Sequence, residues 1–306
     1  ADVVIMTEKS ELFMTAPFTA DDKTAGAGTA ENAAKSGVAA VLAKDSEEAI
    51  AKAKQLLSVL PANNLETAGN DYYMENDAAV SADLKGIELI SSVADKESVI
   101  ELYKQFGTSA VTAIGSLNWR TAGFVATNNG AKLTADDSAK IARFVTLCDA
   151  YSIPVVTFVD SEGFEKSSAA ELAGSIRDSA KLAQAYASAT TAKIAVVTGK
   201  AYGSAYVALA STAAGSDFTF AWEGAVIAPT TPEAAVVFLN GVSEDNAKQA
   251  QEYADNEADA FTAAANGYVD RVITAEDTKS ALTSAIEATS SKRVVTPAKK
   301  HVNFVY

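Results

Sequence analysis

The sequence predicts an α/β fold with a largely parallel sheet. Short apolar segments, such as residues 154–160 and 194–198, alternate with stretches whose apolar residues recur at helical spacing. Strands separated by helices of this length are typical of β–α–β units, whose strands lie parallel. With 306 residues and 48% hydrophobic content, the chain is long enough for one large domain or two ordinary ones.

The first predicted element is a strand over residues 3–6. Asp45 and the acidic residues after it predict the N-terminus of a helix that Pro61 ends. The polar residues 62–76 are typical of a linker, so we place a domain boundary between residues 75 and 76. Beyond it we expect a helix or hairpin over 92–106, strands over 111–114, 121–127, 154–160, 194–198, 218–222 and 225–228, and helices over 136–151, 168–189, 243–265 (with Ser243 as N-cap) and 277–290.

Composition excludes several classes of function. A net charge of −14 argues against nucleic acid or an anionic membrane surface as partner, since both require a basic surface. No run approaches the ~18 apolar residues of a membrane span, and no secretory signal is recognisable, so we expect a cytoplasmic protein. The single cysteine, Cys148, and single histidine, His301, predict neither a disulfide framework nor a metal site.

Two glycine-bearing turns are the remaining candidates for chemistry. The chain has no G-x-S-x-G elbow and no phosphate-binding P-loop, and a Ser/His/Asp triad would have to use His301. One turn spans residues 159–164 and the other is Gly203-Ser204-Ala205; each follows an apolar strand, so we expect both along one sheet edge. Free amides at the start of a helix can hold an anion, although glycines that only close tight turns are the alternative interpretation.

Four motifs in a fixed order carry a family resemblance. They are IPVVTFVDSEGF, KIAVVTGKAYGSAYVALAS, DFTFAWEGAVIAPTTPEAAVVFL and AAANGYVDRVITAEDTKSAL…SKRVVTPAKKHVNFVY, preceded by FMTAP and LLSVLPANN. The chain resembles the carboxyltransferase subunit of biotin-dependent acyl-CoA carboxylases and decarboxylases of the propionyl-CoA/methylmalonyl-CoA type. The resemblance implies a crotonase-like (ClpP/crotonase) βαβ superhelix at residues 76–306. Residues 1–75 would then be the partial N-terminal carboxyltransferase segment and its linker.

The resemblance also implies a reaction and its site. A carboxyl group moves between biotin, carried on a partner biotin carboxyl carrier protein, and the α-carbon of an acyl-CoA, while backbone amides hold the anionic intermediates. Further carboxyltransferase subunits and an oligomeric assembly are expected as well. By position, the implied catalytic residues are Ser204 and Ala205, the biotin-side residues are Gly163, Phe164, Gly174, Arg177 and Gly203, and Val207 shapes the acyl pocket.

The chain departs from the family pattern at several positions. Ser204 stands where the family has a second glycine, which adds a Cβ at a place of close backbone approach, and Gly199 stands where the family has arginine. The family's N-terminal domain extends well upstream of Ala1 and carries the turn for the thioester enolate. We therefore expect another subunit or a longer chain to supply that half of the site.

Three alternatives stay open at this stage. A non-catalytic subunit could retain the fold for assembly or for docking biotin. The carboxyltransferase subunit of a sodium-pumping acyl-CoA decarboxylase would run the transfer from the thioester to biotin. An enoyl-CoA hydratase-like enzyme would need a carboxylate acid/base pair, for which the nearby candidates are Glu162 and Glu165.

Overall fold

A small parallel sheet forms the first part of the computed structural model, which describes residues 1–15, 26–66, 74–127 and 130–295. Its strands are β1 (Ile5–Thr7) and β2 (Val41–Ala43), and helix α1 (Ala30–Lys35) lies between them in the chain. Helix α2 (Ser46–Val59) follows. The predicted cap is confirmed, because the Asp45 carboxylate accepts a hydrogen bond from the Glu48 amide.

Within the described residues the main sheet has eight strands, and it is parallel over most of its width. In spatial order β10, β8, β7, β6 and β5 pair in parallel, β9 pairs in parallel with the end of β7, and β4 and β3 continue antiparallel beyond β5. The predicted largely parallel sheet is thus confirmed. The strands are β3 (Ile100–Leu102), β4 (Ala110–Leu117), β5 (Arg120–Thr127), β6 (Val155–Ser161), β7 (Lys193–Tyr202), β8 (Phe218–Trp222), β9 (Val226–Ala228) and β10 (Arg271–Ile273).

Helices cover both faces of this sheet and create two apolar cores. One core contains Phe144, Leu182 and Val197, and the other contains Ile90, Val196 and Leu282. Adjacent residues of β7 therefore point to opposite cores, as the period of a strand requires. The helices are α3 (Gly86–Val93), α4 (Ala135–Ala150), α5 (Ser168–Ala173), α6 (Ser175–Ser188), α7 (Ser204–Leu209), α8 (Pro232–Asn240), α9 (Asn246–Asn256), α10 (Ala260–Ala265) and α11 (Thr278–Ala288), with a 3₁₀ turn at Thr212–Ala214.

Two helices predicted as continuous are divided in the structure. The helix expected over 168–189 breaks at Gly174, whose φ of +88° ends α5 in the left-handed conformation. The helix expected over 243–265 is two helices, because Asp259 caps a new one with hydrogen bonds from the Phe261 and Thr262 amides. Ser243 is not its N-cap, since α9 begins three residues later at Asn246.

The prediction of a helix or hairpin over residues 92–106 was also wrong. Helix α3 ends at Val93, and β3 then pairs with β4. Between them the Asp95 carboxylate accepts hydrogen bonds from the Asn118 and Trp119 amides at 2.9 and 2.8 Å, in the β4–β5 turn. This contact spans more than twenty residues, so local periodicity carries no signal of it.

The described residues before position 67 contact the main sheet. The Tyr103 amide donates to the Ala40 carbonyl at 2.8 Å, and the Thr121 hydroxyl donates to the Val59 carbonyl at 2.6 Å. The domain boundary at residues 75 and 76 adjoins residues 67–73, which lie outside the described residues, and it stays a prediction. No helix in the described part of the chain is long and apolar enough to cross a bilayer.

Candidate active site

The two glycine-bearing turns lie at the same edge of the main sheet. Strands β6 and β7 are parallel neighbours, and Ser161 pairs with Ala201 at their carboxyl ends. A Cβ built on Gly163 would lie 3.7 Å from the Tyr202 carbonyl oxygen. The shared edge expected from the sequence is therefore present, at the place where α/β sheets bind ligands.

The turn after β7 depends on Gly203. Its φ and ψ are +56° and −129°, and a Cβ there would lie 3.0 Å from the Pro229 carbonyl oxygen. The Gly203 amide donates to the Ala228 carbonyl at 2.9 Å, which ties the turn to β9. Ser204, by contrast, is the first residue of α7 and does not have a positive φ, so its backbone accepts a side chain.

The backbone amides of both turns supply unused hydrogen-bond donors. The first amides of any helix have no acceptor within it, and those of Ser204 and Ala205 have none elsewhere among the described residues. In the other turn, Phe164 bridges to Leu133 through its neighbours: the Leu133 amide donates to Gly163, and the Glu165 amide donates to Leu133. The Phe164 amide takes no part in this bridge and likewise has no acceptor in the described segments.

A cleft of about 350 Å³ unites the two turns. Gly163 and Phe164 line one side, and Gly203 and Ser204 line the other. An adjoining cavity of about 330 Å³, almost entirely apolar, shares Phe164 and Ser204 and includes the half-exposed Val207. The structure therefore brings together five of the eight residues proposed for the site.

The other three proposed residues are placed differently. Ala205 has a buried side chain, so only its backbone is available to a ligand. Gly174 lies at the break between α5 and α6, beside Ser175 of the cleft wall. The Arg177 guanidinium pairs with Asp178 at 3.0 Å, and Arg177 lines neither cavity. The biotin-side roles of Gly174 and Arg177 remain predictions from the resemblance.

The two carboxylates considered for acid/base chemistry, Glu162 and Glu165, line the cleft and are engaged in other contacts. Glu162 Oε1 lies 2.6 Å from Lys200 Nζ, and this hydrogen bond lowers the pKa of the Glu162 carboxyl. Glu165 accepts a hydrogen bond from the Ser167 hydroxyl at 2.8 Å. A carboxyl with a lowered pKa is a poor proton donor at neutral pH, which disfavours the acid/base pair that a hydratase-like reaction needs.

Several residues of the two cavities were not anticipated from the sequence. Ile176 and Ser179 of α6 line both cavities, and Pro229 lines the cleft from beyond β9. The glycine at 174 was the available signal for the α6 residues, because a helix restarting there presents a new first turn to the cleft. Nothing in the local pattern pointed to Pro229.

Known proteins with similar sequences include three named acyl-CoA carboxyl-transfer subunits. The 12S subunit of methylmalonyl-CoA carboxyltransferase from Propionibacterium freudenreichii subsp. shermanii is 35% identical over 99% of this chain and 63% of its own length. The methylmalonyl-CoA decarboxylase subunit alpha of Veillonella parvula is 32% identical over 98% of this chain and 64% of its own length. The mitochondrial propionyl-CoA carboxylase beta chain of Rattus norvegicus is 33% identical over 97% of this chain and 59% of its own length. The chain thus spans less than two thirds of the length of these relatives.

The solved structure of a transcarboxylase 12S hexamer, with methylmalonyl-coenzyme A and methylmalonic acid bound, is similar over the whole chain. Its TM-score is 0.90 at 34% identity, and the match covers 100% of this chain and 64% of that one. The expected crotonase-like α/β fold is therefore confirmed. Residues 1–304 match the family model described as the carboxyl transferase domain. The chain belongs to the carboxyl transferase domain family.

Proposed function

We propose that this chain is a carboxyltransferase component that moves a carboxyl group between biotin and the α-carbon of a short-chain acyl-CoA. Propionyl-CoA and methylmalonyl-CoA are the substrates that the names of its relatives favour. The observation that carries the proposal is the cleft that joins the Phe164 turn to the Ser204 turn in a member of this family.

The residues of the cleft fit the ureido ring of biotin. Its urea oxygen accepts hydrogen bonds, and the amides of Phe164, Ser204 and Ala205 are donors without another acceptor among the described residues. Gly203 has no side chain that could cover them. When bound, biotin carries the carboxyl group and its urea oxygen gains negative charge as that group leaves. Backbone donors aimed at developing charge are typically the strongest electrostatic term in such sites.

The apolar cavity is the proposed place of the acyl group. Phe164, Ala208 and Val207 give it apolar walls, and Ile176 and Ala183 of α6 complete them. Apolar walls exclude water from a short aliphatic chain and strengthen the neighbouring amide interactions. Val207 is 52% exposed at its mouth, where a second carboxyltransferase subunit or domain would complete the pocket.

We propose three partners from this arrangement: acyl-CoA, a carrier domain bearing biotin, and further carboxyltransferase subunits. The hexameric transcarboxylase relative supports an oligomer. Relatives named as decarboxylase subunits are about as similar as those named as carboxylase subunits, so the direction of transfer depends on the partner subunits.

The test is to purify the native assembly with this chain tagged, identify every co-purifying chain, and assay transfer. With methylmalonyl-CoA and free biotin, we expect carboxybiotin and propionyl-CoA to form in equal amounts. A particle that contains a biotinylated chain and transfers the carboxyl group supports the proposal. A homo-oligomer without a biotinylated partner and without transfer would establish the non-catalytic alternative instead.

A further inference from the structure

The pairing between β6 and β7 changes register just before the two turns. Val159 pairs with Val197, and the next pair is Ser161 with Ala201. Strand β6 therefore has one residue, Asp160, where β7 has three, residues 198–200. The interruption is a bulge in β7, a feature that commonly re-aims the chain beside active sites.

The bulge brings the two turns level with each other. Continued from the Ser161–Ala201 pair, the register places Gly163 beside Gly203 and Phe164 beside Ser204. Continued from the Val159–Val197 pair without a bulge, it would place Gly163 beside Ala201. That offset of two residues corresponds to roughly 6.6 Å along a strand, which would separate the amides that the cleft now combines.

The Asp160 carboxylate takes the place of the interrupted backbone pairing. Its Oδ1 accepts a hydrogen bond from the Lys200 amide at 2.9 Å, and its Oδ2 lies 3.2 Å from Lys85 Nζ. The side chain is 9% exposed. Gly199 is part of the same arrangement, because a Cβ on Gly199 would overlap the Asp160 carboxylate.

The Asp160 backbone is held from the opposite side. Its amide donates to the Thr127 hydroxyl at 2.6 Å, and its carbonyl accepts from the Gly130 amide at 2.9 Å. The backbone of Asp160 is thus fixed to Thr127 of β5 and to Gly130, and its side chain is fixed to β7. A buried carboxylate anchored in this way restricts the movement of the neighbouring strands relative to one another.

We propose that Asp160 is a positioning residue that maintains the β7 bulge and so sets the alignment of the Phe164 turn with the Ser204 turn. Lys85 neutralises its charge, and Gly199 leaves room for it. The consequence for catalysis rests on the proposed carboxyl transfer. The consequence for the structure, an ordered bulge at residues 198–200, does not depend on that activity.

Asp217 provides a matched control at the other end of β7. Its carboxylate accepts a hydrogen bond from the Lys193 amide at 2.8 Å and pairs with Lys292 Nζ at 2.8 Å. It therefore makes the same two kinds of contact as Asp160, at the sheet edge away from the cleft. Asp160→Ala and Asp217→Ala each remove one hydrogen bond from a backbone amide and one ion pair with a lysine. They differ in that Asp160 lies at the cleft end of β7 and Asp217 at the opposite end.

Residue-resolved hydrogen exchange on the chain tests the structural part. We expect Asp160→Ala to speed exchange of the Lys200 and Gly203 amides by tenfold or more, whereas Asp217→Ala speeds exchange of the Lys193 amide and leaves those two unchanged. Unchanged Lys200 exchange in folded Asp160→Ala would overturn the proposal. Should that variant not fold, Gly199→Ala displaces the same carboxylate, and we expect the same pattern.

Carboxyl transfer by the assembly tests the catalytic part. A displacement of as little as about 1 Å can cost about 10²-fold in rate, so we expect Asp160→Ala to lower kcat by about 10²-fold and KM for biotin to change less than about threefold. Asp160→Asn keeps an acceptor for the Lys200 amide, and we expect it to retain most of the rate. Gly199→Ala should add little to Asp160→Ala, because both act through one contact.

The outcomes separate this inference from the proposed function. If the wild-type assembly transfers the carboxyl group and the Asp160→Ala and Asp217→Ala assemblies do so at equal rates, the positioning role alone is overturned. Equal losses in Asp160→Asn and Asp160→Ala would also overturn it, because the amide acceptor would then be irrelevant. A wild-type assembly without transfer would overturn the proposed function, while hydrogen exchange would still decide whether Asp160 maintains the bulge.

Discussion

Glu162 and Lys200 form an ion pair, with 2.6 Å between Oε1 and Nζ, across the two strand ends that carry the candidate site. Glu162 precedes the Gly163 turn, and Lys200 lies three residues before Gly203. The pair thus links the turns at their solvent side, while Asp160 links the strands within the protein. Both side chains are partly exposed, so the pair contributes less to stability than a buried one.

Lys200→Met should raise the pKa of Glu162. The hydrogen bond from Lys200 now lowers that pKa, so the folded protein binds this proton less readily than the unfolded chain. The contribution to stability is therefore present above the unfolded pKa and is lost as pH falls through the folded pKa. We expect a loss below about 1 kcal/mol at neutral pH, and less in acid.

NMR titration of the Glu162 carboxyl in wild type and Lys200→Met measures this shift. Lys248→Met is the control, since Lys248 pairs with Glu252 on α9 at 3.7 Å and does not contact Glu162. A Glu162 pKa that is the same in wild type and Lys200→Met would refute the assigned cause.

Ala205→Pro should reduce carboxyl transfer by ~10²–10³-fold, the usual cost of losing one oxyanion donor. The substitution removes the Ala205 amide proton at the second residue of α7, where a helix does not use that proton. Glu47→Pro makes the same change at the second residue of α2, at an exposed position outside both cavities. Kinetics of both variants in the native assembly, with circular dichroism to verify folding, measure the effect. Full activity in folded Ala205→Pro would remove that amide from the mechanism.

Ser204→Gly should leave transfer within about threefold of wild type if the Ser204 backbone alone contacts the ligand. The positive φ of this turn belongs to Gly203, so a glycine at 204 relieves no strain, and it weakens the helix by at most about 1 kcal/mol. Steady-state rates and the denaturation midpoint test both statements. A clear fall in turnover at unchanged stability would instead give the Ser204 hydroxyl a role of its own.

Lys140→Met should destabilise the protein by about 1–3 kcal/mol, because the buried Ala110 and Gly107 carbonyls each lose a hydrogen bond and, among the described residues, Gly107 keeps only the bond from the Ala110 amide. Lys140 Nζ donates to the Ala110 and Gly107 carbonyls at 2.7 and 3.2 Å. Denaturant unfolding of Lys140→Met beside the exposed control Lys248→Met measures this difference. Equal stability of the two variants would show that these carbonyls find other donors.

The difference in stability between wild type and Lys140→Met should also depend on pH. Burial lowers the pKa of Lys140 to about 8, below that of an unfolded lysine, so between these values the unfolded chain binds more protons. Stability therefore rises with pH through this window in wild type relative to Lys140→Met. Unfolding free energies at several pH values from about 7 to 10 test the sign; a flat difference would contradict it.

Much of the architecture was predictable because local signals and tertiary packing agreed. The β6 strand begins with apolar residues interrupted only by Thr157 and is buried along its whole length, and Asp45 and Pro61 bound α2 as caps and breakers do. The long helix over 168–189 was mispredicted because it contains no proline and Gly174 is its single glycine. One glycine in a helical pattern is tolerated often enough that periodicity does not mark a break there.

The sequence by itself determined the fold class, the family and the two turns, because apolar periodicity, glycine positions and motif order are all read along one chain. Only the tertiary structure decided that Gly163 and Gly203 lie side by side at the ends of β6 and β7. That alignment depends on a bulge held by the Asp160 carboxylate and on Lys85, seventy-five residues away in the chain. Register between strands is a property of paired backbones and of the side chains that interrupt them, and neither strand encodes it alone.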